Sequence, residues 1–277
     1  MDPWQTVHVN GTPRIALDVM GQGPLMLFLH GIGGNRSNWH LQLPAFAAHF
    51  TAAAWDARGY GLSDDYVGAL DFGDFSADLL RVLDHFAARK AYLCGLSMGG
   101  RIAQEFVARH PDRVAALVLC DTFAGDDNAD ARASRSQTVE EFVESRIRPF
   151  LDGADPAERA KTSAGRLMSP KRSEDALRRA VAASAGIRVE SYIKTVRASA
   201  TFNRVAELAG IRVPTLLLFG AEDPLTPPRV GEYMRERIAG SRLVVIPDAG
   251  HMTNLEQPDA FNRSVLEFLL ELRARAG

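Results

Sequence analysis

The sequence predicts an α/β protein: a mostly parallel, twisted sheet of about eight strands, covered by helices on both faces and interrupted by a helical insertion. Two observations carry this. Short apolar runs rich in β-branched or aromatic residues recur along the 277 residues with amphipathic segments between them, which is the pattern of a parallel sheet buried on both sides. The alternation then fails over one interval, residues 123–205, where no convincing strand occurs.

Residues 6–9 and 15–19 flank the turn pair Asn10-Gly11 and read as an antiparallel hairpin. Leu25–Leu29 is the first fully buried strand candidate, followed by 52–55, 91–94, 114–119, 215–219 and 243–246. Residues 74–86 set Leu79, Leu80, Val82, Leu83 and Phe86 at helical spacing, 101–108 continue as a helix, and 259–272 place Phe261, Val265, Phe268 and Leu269 on one face that should cover the sheet. Within 123–205 charge and alanine content rise. Helices are expected over 139–148, 175–183 and 189–198, with Pro149, Pro156 and Pro170 ending or kinking them. The expected organisation is a core of residues 1–122 and 206–277, with 123–205 inserted as a helical cap. A lid over the C-terminal ends of strands excludes water and shapes a pocket.

An apolar content of 46% and a charged content of 24% are those of an ordinary soluble globule able to bury a core without staples. With a net charge of −2 and both signs spread along the chain, there is no electrostatic footprint for nucleic acid or anionic membrane. No apolar run approaches the roughly 18 residues a membrane span needs. Residues 1–12 are polar and lack a basic start followed by an apolar stretch, so no secretory signal is read and a cytoplasmic location is expected. Cys94 and Cys120 each end an apolar run and read as buried thiols rather than a disulfide; no Cys/His spacing resembles a metal site.

Gly95-Leu96-Ser97-Met98-Gly99 lies where the run 91–94 stops and the helix 101–108 begins, which puts one serine on the bend between strand and helix. Gly95, Gly99 and Gly100 leave room for the two to approach, and the first helical amides face whatever oxygen the serine attacks. A serine hydroxyl needs a base to take its proton and a third group to orient that base. Asp223 and His251 follow the runs 215–219 and 243–246, so all three fall on loops at strand C-terminal ends, in the chain order Ser, Asp, His. Glu222 and Asp121 are rival acids, and Asp223 before Pro224 also suits a plain turn.

An oxyanion site would take one amide from Met98 and a second from the loop His30-Gly31-Ile32-Gly33-Gly34-Asn35, with Ile32 the chosen donor and His30 shaping the loop. That loop also reads as a flexible turn, but it lacks the Gly-Lys-Ser/Thr ending of a phosphate loop. Residues 56–63 read as a structural loop. Gly31, Trp39, Phe123, Leu225 and Met252 adjoin the candidate catalytic loops and are the expected substrate-binding residues.

On His30-Gly31, Asp56-Ala57-Arg58-Gly59-Tyr60-Gly61, Gly95-Leu96-Ser97-Met98-Gly99-Gly100, Asp223 and Gly250-His251, nearly the whole chain resembles α/β-hydrolase-fold enzymes. Residues 94–100 and 251–258 further resemble 3-oxoadipate enol-lactonases and related carboxylesterases, although Gly31-Ile32-Gly33-Gly34 stands where enol-lactonases usually carry a Ser-Leu-Gly-Thr type stretch. The resemblance implies that fold, a Ser-His-Asp triad of Ser97, His251 and Asp223, and a helical cap. The expected activity is therefore that of a cofactor-free, metal-free serine hydrolase acting on a small-molecule carboxylic ester or lactone through an acyl-enzyme. The same triad would serve a C–C bond hydrolase or a perhydrolase, and the fold also serves ligand receptors. A haloalkane dehalogenase is disfavoured, because it needs a carboxylate where Ser97 stands. Oligomeric state is left open, a homodimer being compatible.

Overall fold

The computed structural model describes residues 2–125 and 138–276. Eight strands, β1 (Gln5–Val9), β2 (Ile15–Met20), β3 (Leu25–Leu29), β4 (Thr51–Trp55), β5 (Ala91–Leu96), β6 (Val114–Cys120), β7 (Thr215–Gly220) and β8 (Arg242–Ile246), form one sheet in the order β1-β2-β4-β3-β5-β6-β7-β8. β2 runs antiparallel to both β1 and β4, and the remaining pairings are parallel. Every expected strand is present, its ends within two residues of the sequence reading. The helices are α1 (Leu43–Ala47), α2 (Phe72–His85), α3 (Met98–Arg109), α4 (Val139–Leu151), α5 (Pro156–Leu167), α6 (Glu174–Ala185), α7 (Val189–Ala200), α8 (Pro228–Arg237), α9 (Thr253–Glu256) and α10 (Pro258–Ala276).

Successive side chains of a strand point to opposite faces, so β3 splits its five apolar residues between two cores. Leu25, Leu27 and Leu29 join Phe75, Leu79 and Leu83 of α2, Ile102 and Phe106 of α3 and Met234 of α8. Met26 and Phe28 join Leu43 and Phe46 of α1 and Phe261, Val265 and Leu269 of α10. Full burial of each such side chain is worth roughly 1.5–3 kcal/mol, whereas helix propensities differ by only tenths per residue, so packing on both sides holds the layers together. Cys94 and Cys120 belong to the second core as free thiols, with their sulfurs 3.8 Å apart. No helix among the described residues is long and apolar enough to cross a membrane.

Between β6 and β7 the described chain is helical. α4 starts on a reciprocal cap, in which Thr138 Oγ1 accepts from the Glu141 amide and the Glu141 carboxylate accepts from the Thr138 amide. α4 packs on α7 through Ile147, Phe150, Tyr192 and Val196, and α5 packs on α6 through Ala164, Ala176 and Ala180. One proline reading, that of Pro156, needs correction. Pro149 lies inside α4, which continues to Leu151, whereas Pro156 opens a helix rather than interrupting one. The reason is position: Asp155 caps α5 by accepting from the Glu158 amide at 3.0 Å, and the first helical position has no intrahelical N–H bond to lose. Residues 126–137, the early part of the expected insertion, lie outside the described residues.

Candidate active site

Ser97 stands between β5 and α3 with φ +54° and ψ −113°, a strained backbone for a residue with a side chain. Three bonds hold it there. Its amide donates to Cys120 O at 2.9 Å, while its carbonyl accepts from Thr122 Oγ1 at 2.6 Å and from the Arg101 amide at 3.2 Å. The turn closes only because two residues lack a Cβ. One at Gly95 would stand 2.2 Å from Gly99 O, and one at Gly99 would stand 2.0 Å from Leu29 O.

The loop after β3 brings Gly31 against this serine, where an added Cβ would lie 3.3 Å from Ser97 Cβ. Gly31 O accepts from the Gly34 amide at 3.1 Å and from His30 Nδ1 at 2.8 Å. His30 Nε2 accepts from the Ala57 amide at 3.0 Å, and this assigns the ring proton to Nδ1. Burial lowers the His30 pKa against the pull of its Gly31 bond and the Asp56 charge, so the ring stays neutral and the pattern persists.

At the end of β7, Asp223 folds its carboxylate back over its own loop. Oδ1 accepts from the Leu225 and Thr226 amides at 2.7 and 3.0 Å, and Oδ2 accepts from Thr226 Oγ1 at 2.6 Å and lies 2.8 Å from His251 Nδ1. Burial works to raise the Asp223 pKa, but the His251 charge, its hydrogen bond and the Thr226 donors outweigh it, and the carboxyl is held below its usual range. His251 is itself buried, and its amide donates to Leu167 O at 2.7 Å.

The rival acids are directed elsewhere. Asp121, at the end of β6, accepts from the Gly220 amide at 2.8 Å and from Thr253 Oγ1 at 2.6 Å. Burial, reinforced by the Asp223 charge, pushes its carboxyl well above the usual range. Glu222 accepts from Ser169 Oγ at 2.5 Å, on the side of the 167–171 segment.

Ser97 and His251 line one cavity. Gly31, Ile32, Phe123, Leu225 and Met252 line it too, while Met98 is buried with its side chain in the first core. Trp39 does not reach the cavity, which corrects its expected substrate-binding role. It ends a short 3-10 turn, fully buried, with its ring against Phe28 and Phe261, whereas its neighbour Asn38 lines the cavity.

Sequence reasoning also missed two arginines in the lining. Arg101, one turn beyond Ser97 on α3, donates to Ser199 O at 3.1 Å and lies 4.9 Å from the Phe123 ring centre; Arg146 of α4 lies over Phe142. No aspartate or glutamate joins the lining among the described residues. The i, i+4 spacing from Ser97 could have flagged Arg101. Nothing local flags Arg146, which arrives by tertiary packing.

A family model described as the alpha/beta hydrolase fold matches residues 24–258. A 3-oxoadipate enol-lactonase of Acinetobacter baylyi is 31% identical over 245 residues, 87% of each chain. Among solved structures, an enol-lactonase from Burkholderia xenovorans superposes with a TM-score of 0.84 at 27% identity, covering 96% of this chain and all of that one. A thermophilic esterase from Thermogutta terrifontis, solved with malate bound, superposes with a TM-score of 0.85 at 28% identity, covering 97% and 99%.

Proposed function

Because the chain belongs to the alpha/beta hydrolase fold family, we propose that it hydrolyses a small carboxylic ester or lactone through an acyl-enzyme on Ser97. The observation that carries this is the 2.8 Å contact between Asp223 Oδ2 and His251 Nδ1, made by a histidine that shares a cavity with a serine on a strained strand-to-helix bend. Asp223 fixes the proton on Nδ1 and leaves Nε2 to take the Ser97 proton as Oγ attacks the carbonyl. His251 then passes that proton to the leaving alcohol, and water activated by the same ring releases the acid.

The developing oxyanion is received by the Ile32 and Met98 amides. In a trans peptide the C=O and N–H point opposite ways, so the bonds that pin Gly31 O direct the Ile32 N–H to the other side of the peptide, away from His30. Residues 123–205 act as the cap. The decisive experiment is Ser97→Ala. It should abolish turnover of a p-nitrophenyl ester, removing at least about 10⁴-fold of the rate, and a well-folded variant that keeps wild-type turnover would end the reading.

Arg146, in the cavity lining, favours a substrate that carries a carboxylate, since guanidinium pairs strongly with carboxylate where water is scarce. The names of the relatives, a 3-oxoadipate enol-lactonase and an esterase solved with malate, fit such a substrate. A p-nitrophenyl hemisuccinate should therefore be cleaved with higher kcat/KM than the butyrate of similar size. Arg146→Gln should lower kcat/KM on the acidic ester alone, by roughly 10-fold for about 1.4 kcal/mol of lost pairing. Equal losses on both esters would count against charge recognition.

A further inference from the structure

Glu256, the last residue of α9, is 6% exposed, and backbone amides alone satisfy its carboxylate. Oε1 accepts from the Gly250 and Met252 amides, each at 3.1 Å; Oε2 accepts from Gly250 at 3.1 Å and from Ser169 at 2.7 Å. The amide between them, that of His251, donates to Leu167 O. Three successive amides around the catalytic histidine are thus committed, two to one carboxylate and one to the carbonyl that ends α5. A buried carboxylate without a cationic partner is costly, and burial pushes the Glu256 carboxyl up against the pull of its amides, with the Asp223 charge adding to it.

The cap segment that Glu256 grips passes in backbone contact with the same loop. A Cβ on Gly250 would stand 2.6 Å from Leu167 O and 2.7 Å from Ser169 N. Two residues further on, Lys171 pairs with Asp248, at the start of the histidine loop. Ser169 Oγ, meanwhile, is bonded to Glu222, the neighbour of Asp223. The 167–171 corner is therefore tied to the histidine loop and to the acid loop, and among the described residues Glu256 is the single group that holds both sides of His251 and the corner at once.

We propose that Glu256 is a positioning residue that locks the His251 loop to the 167–171 corner of the cap, so that the imidazole is set for proton transfer only while that corner is seated. The activity readout rests on the hydrolase reading above; the spectroscopic readout does not. Glu256→Gln keeps the size but turns one acceptor into a donor that opposes an amide N–H. It should lower kcat on a p-nitrophenyl ester by roughly 10- to 100-fold with KM little changed, because a misplacement of about 1 Å can cost about 10²-fold.

In the same variant the downfield proton of the His251 Nδ1–Asp223 hydrogen bond should shift or broaden in NMR, and protease cleavage of the cap should quicken. Glu256→Asp, which keeps the charge on a shorter arm, should recover part of kcat. A Glu256→Gln protein with reduced thermal stability but unchanged kcat per titrated serine and an unmoved His251 proton overturns the proposal. If that variant does not fold, Glu256→Asp carries the test, and wild-type values for kcat and for the proton overturn it equally. A wild-type protein inert on every ester would remove the hydrolase reading while the proton resonance still tests this one.

Discussion

The neighbouring strands β6 and β7 are each followed by a buried aspartate, Asp121 at 0% and Asp223 at 4% exposure, and the protein treats the two in opposite ways. Asp121 is bonded by the Gly220 and Thr253 amides and the Thr253 hydroxyl, with no cation beside it among the described residues, and its carboxyl is driven up by burial and by the charge of the other. Asp223 receives two amides, a hydroxyl and the His251 imidazole, and against the same burial its carboxyl is driven down. Depth sets the cost of a charge, and partners decide whether it is borne. Two acids set close together in a low-dielectric edge are thereby driven apart, one towards keeping its proton and the other towards losing it.

The largest test of this contrast is Asp223→Asn, which should lower kcat by about 10⁴-fold through the wrong imidazole tautomer, as read by steady-state turnover with active-site titration. Near-wild-type turnover would break the comparison. Asp121→Asn mimics the protonated acid and should cost less than about 10-fold, under roughly 1.4 kcal/mol of barrier. A loss as large as that of Asp223→Asn would make Asp121 the working acid.

The smallest effect is on stability, where the signs sharpen the contrast. The lowered native pKa of Asp223 gives stability that is present above the unfolded value of about 3.9 and lost as pH falls through the native one. The Tm deficit of Asp223→Asn should therefore shrink towards acid. The raised native pKa of Asp121 means that the folded state keeps a proton the unfolded chain releases, so stability declines as pH climbs from about 3.9 through the native value. Asp121→Asn should melt above wild type by a margin that widens towards alkaline pH, each 1 kcal/mol showing as about 2–4 °C.

The sheet was readable because central parallel strands such as Leu25–Leu29 and Thr215–Gly220 are apolar on both faces and leave no other periodicity to weigh. The elbow was readable because glycines mark the only way a strand and helix can close so tightly. α5 and α8 were not read. α5 buries only Ala160 and Ala164 and α8 only Gly231 and Met234, so neither shows an apolar stripe. Trp39 misled because adjacency in sequence is not adjacency in space: a 3-10 turn sends Asn38 to the cavity and the indole beneath it to the core. Glu256 lies in the recognisable 251–258 stretch, but its hold on the Ser169 amide has no local sign, since the two residues are 87 positions apart and meet only in the fold.

The chain leaves the sheet at Cys120 and returns at Thr215 on the very next strand, with Cys120 in register with Leu218 and the Asp121 amide bonded to Leu218 O. Closing a loop costs only about 0.6 kcal/mol more each time its length doubles, so the strand ladder is nearly indifferent to what hangs between these two points. That makes the excursion an interchangeable cassette. On the hydrolase reading proposed above, its length and lining can be rewritten to suit another substrate while Ser97, Asp223 and His251 stay where the framework puts them, provided the replacement still brings a backbone corner for Glu256 to grasp.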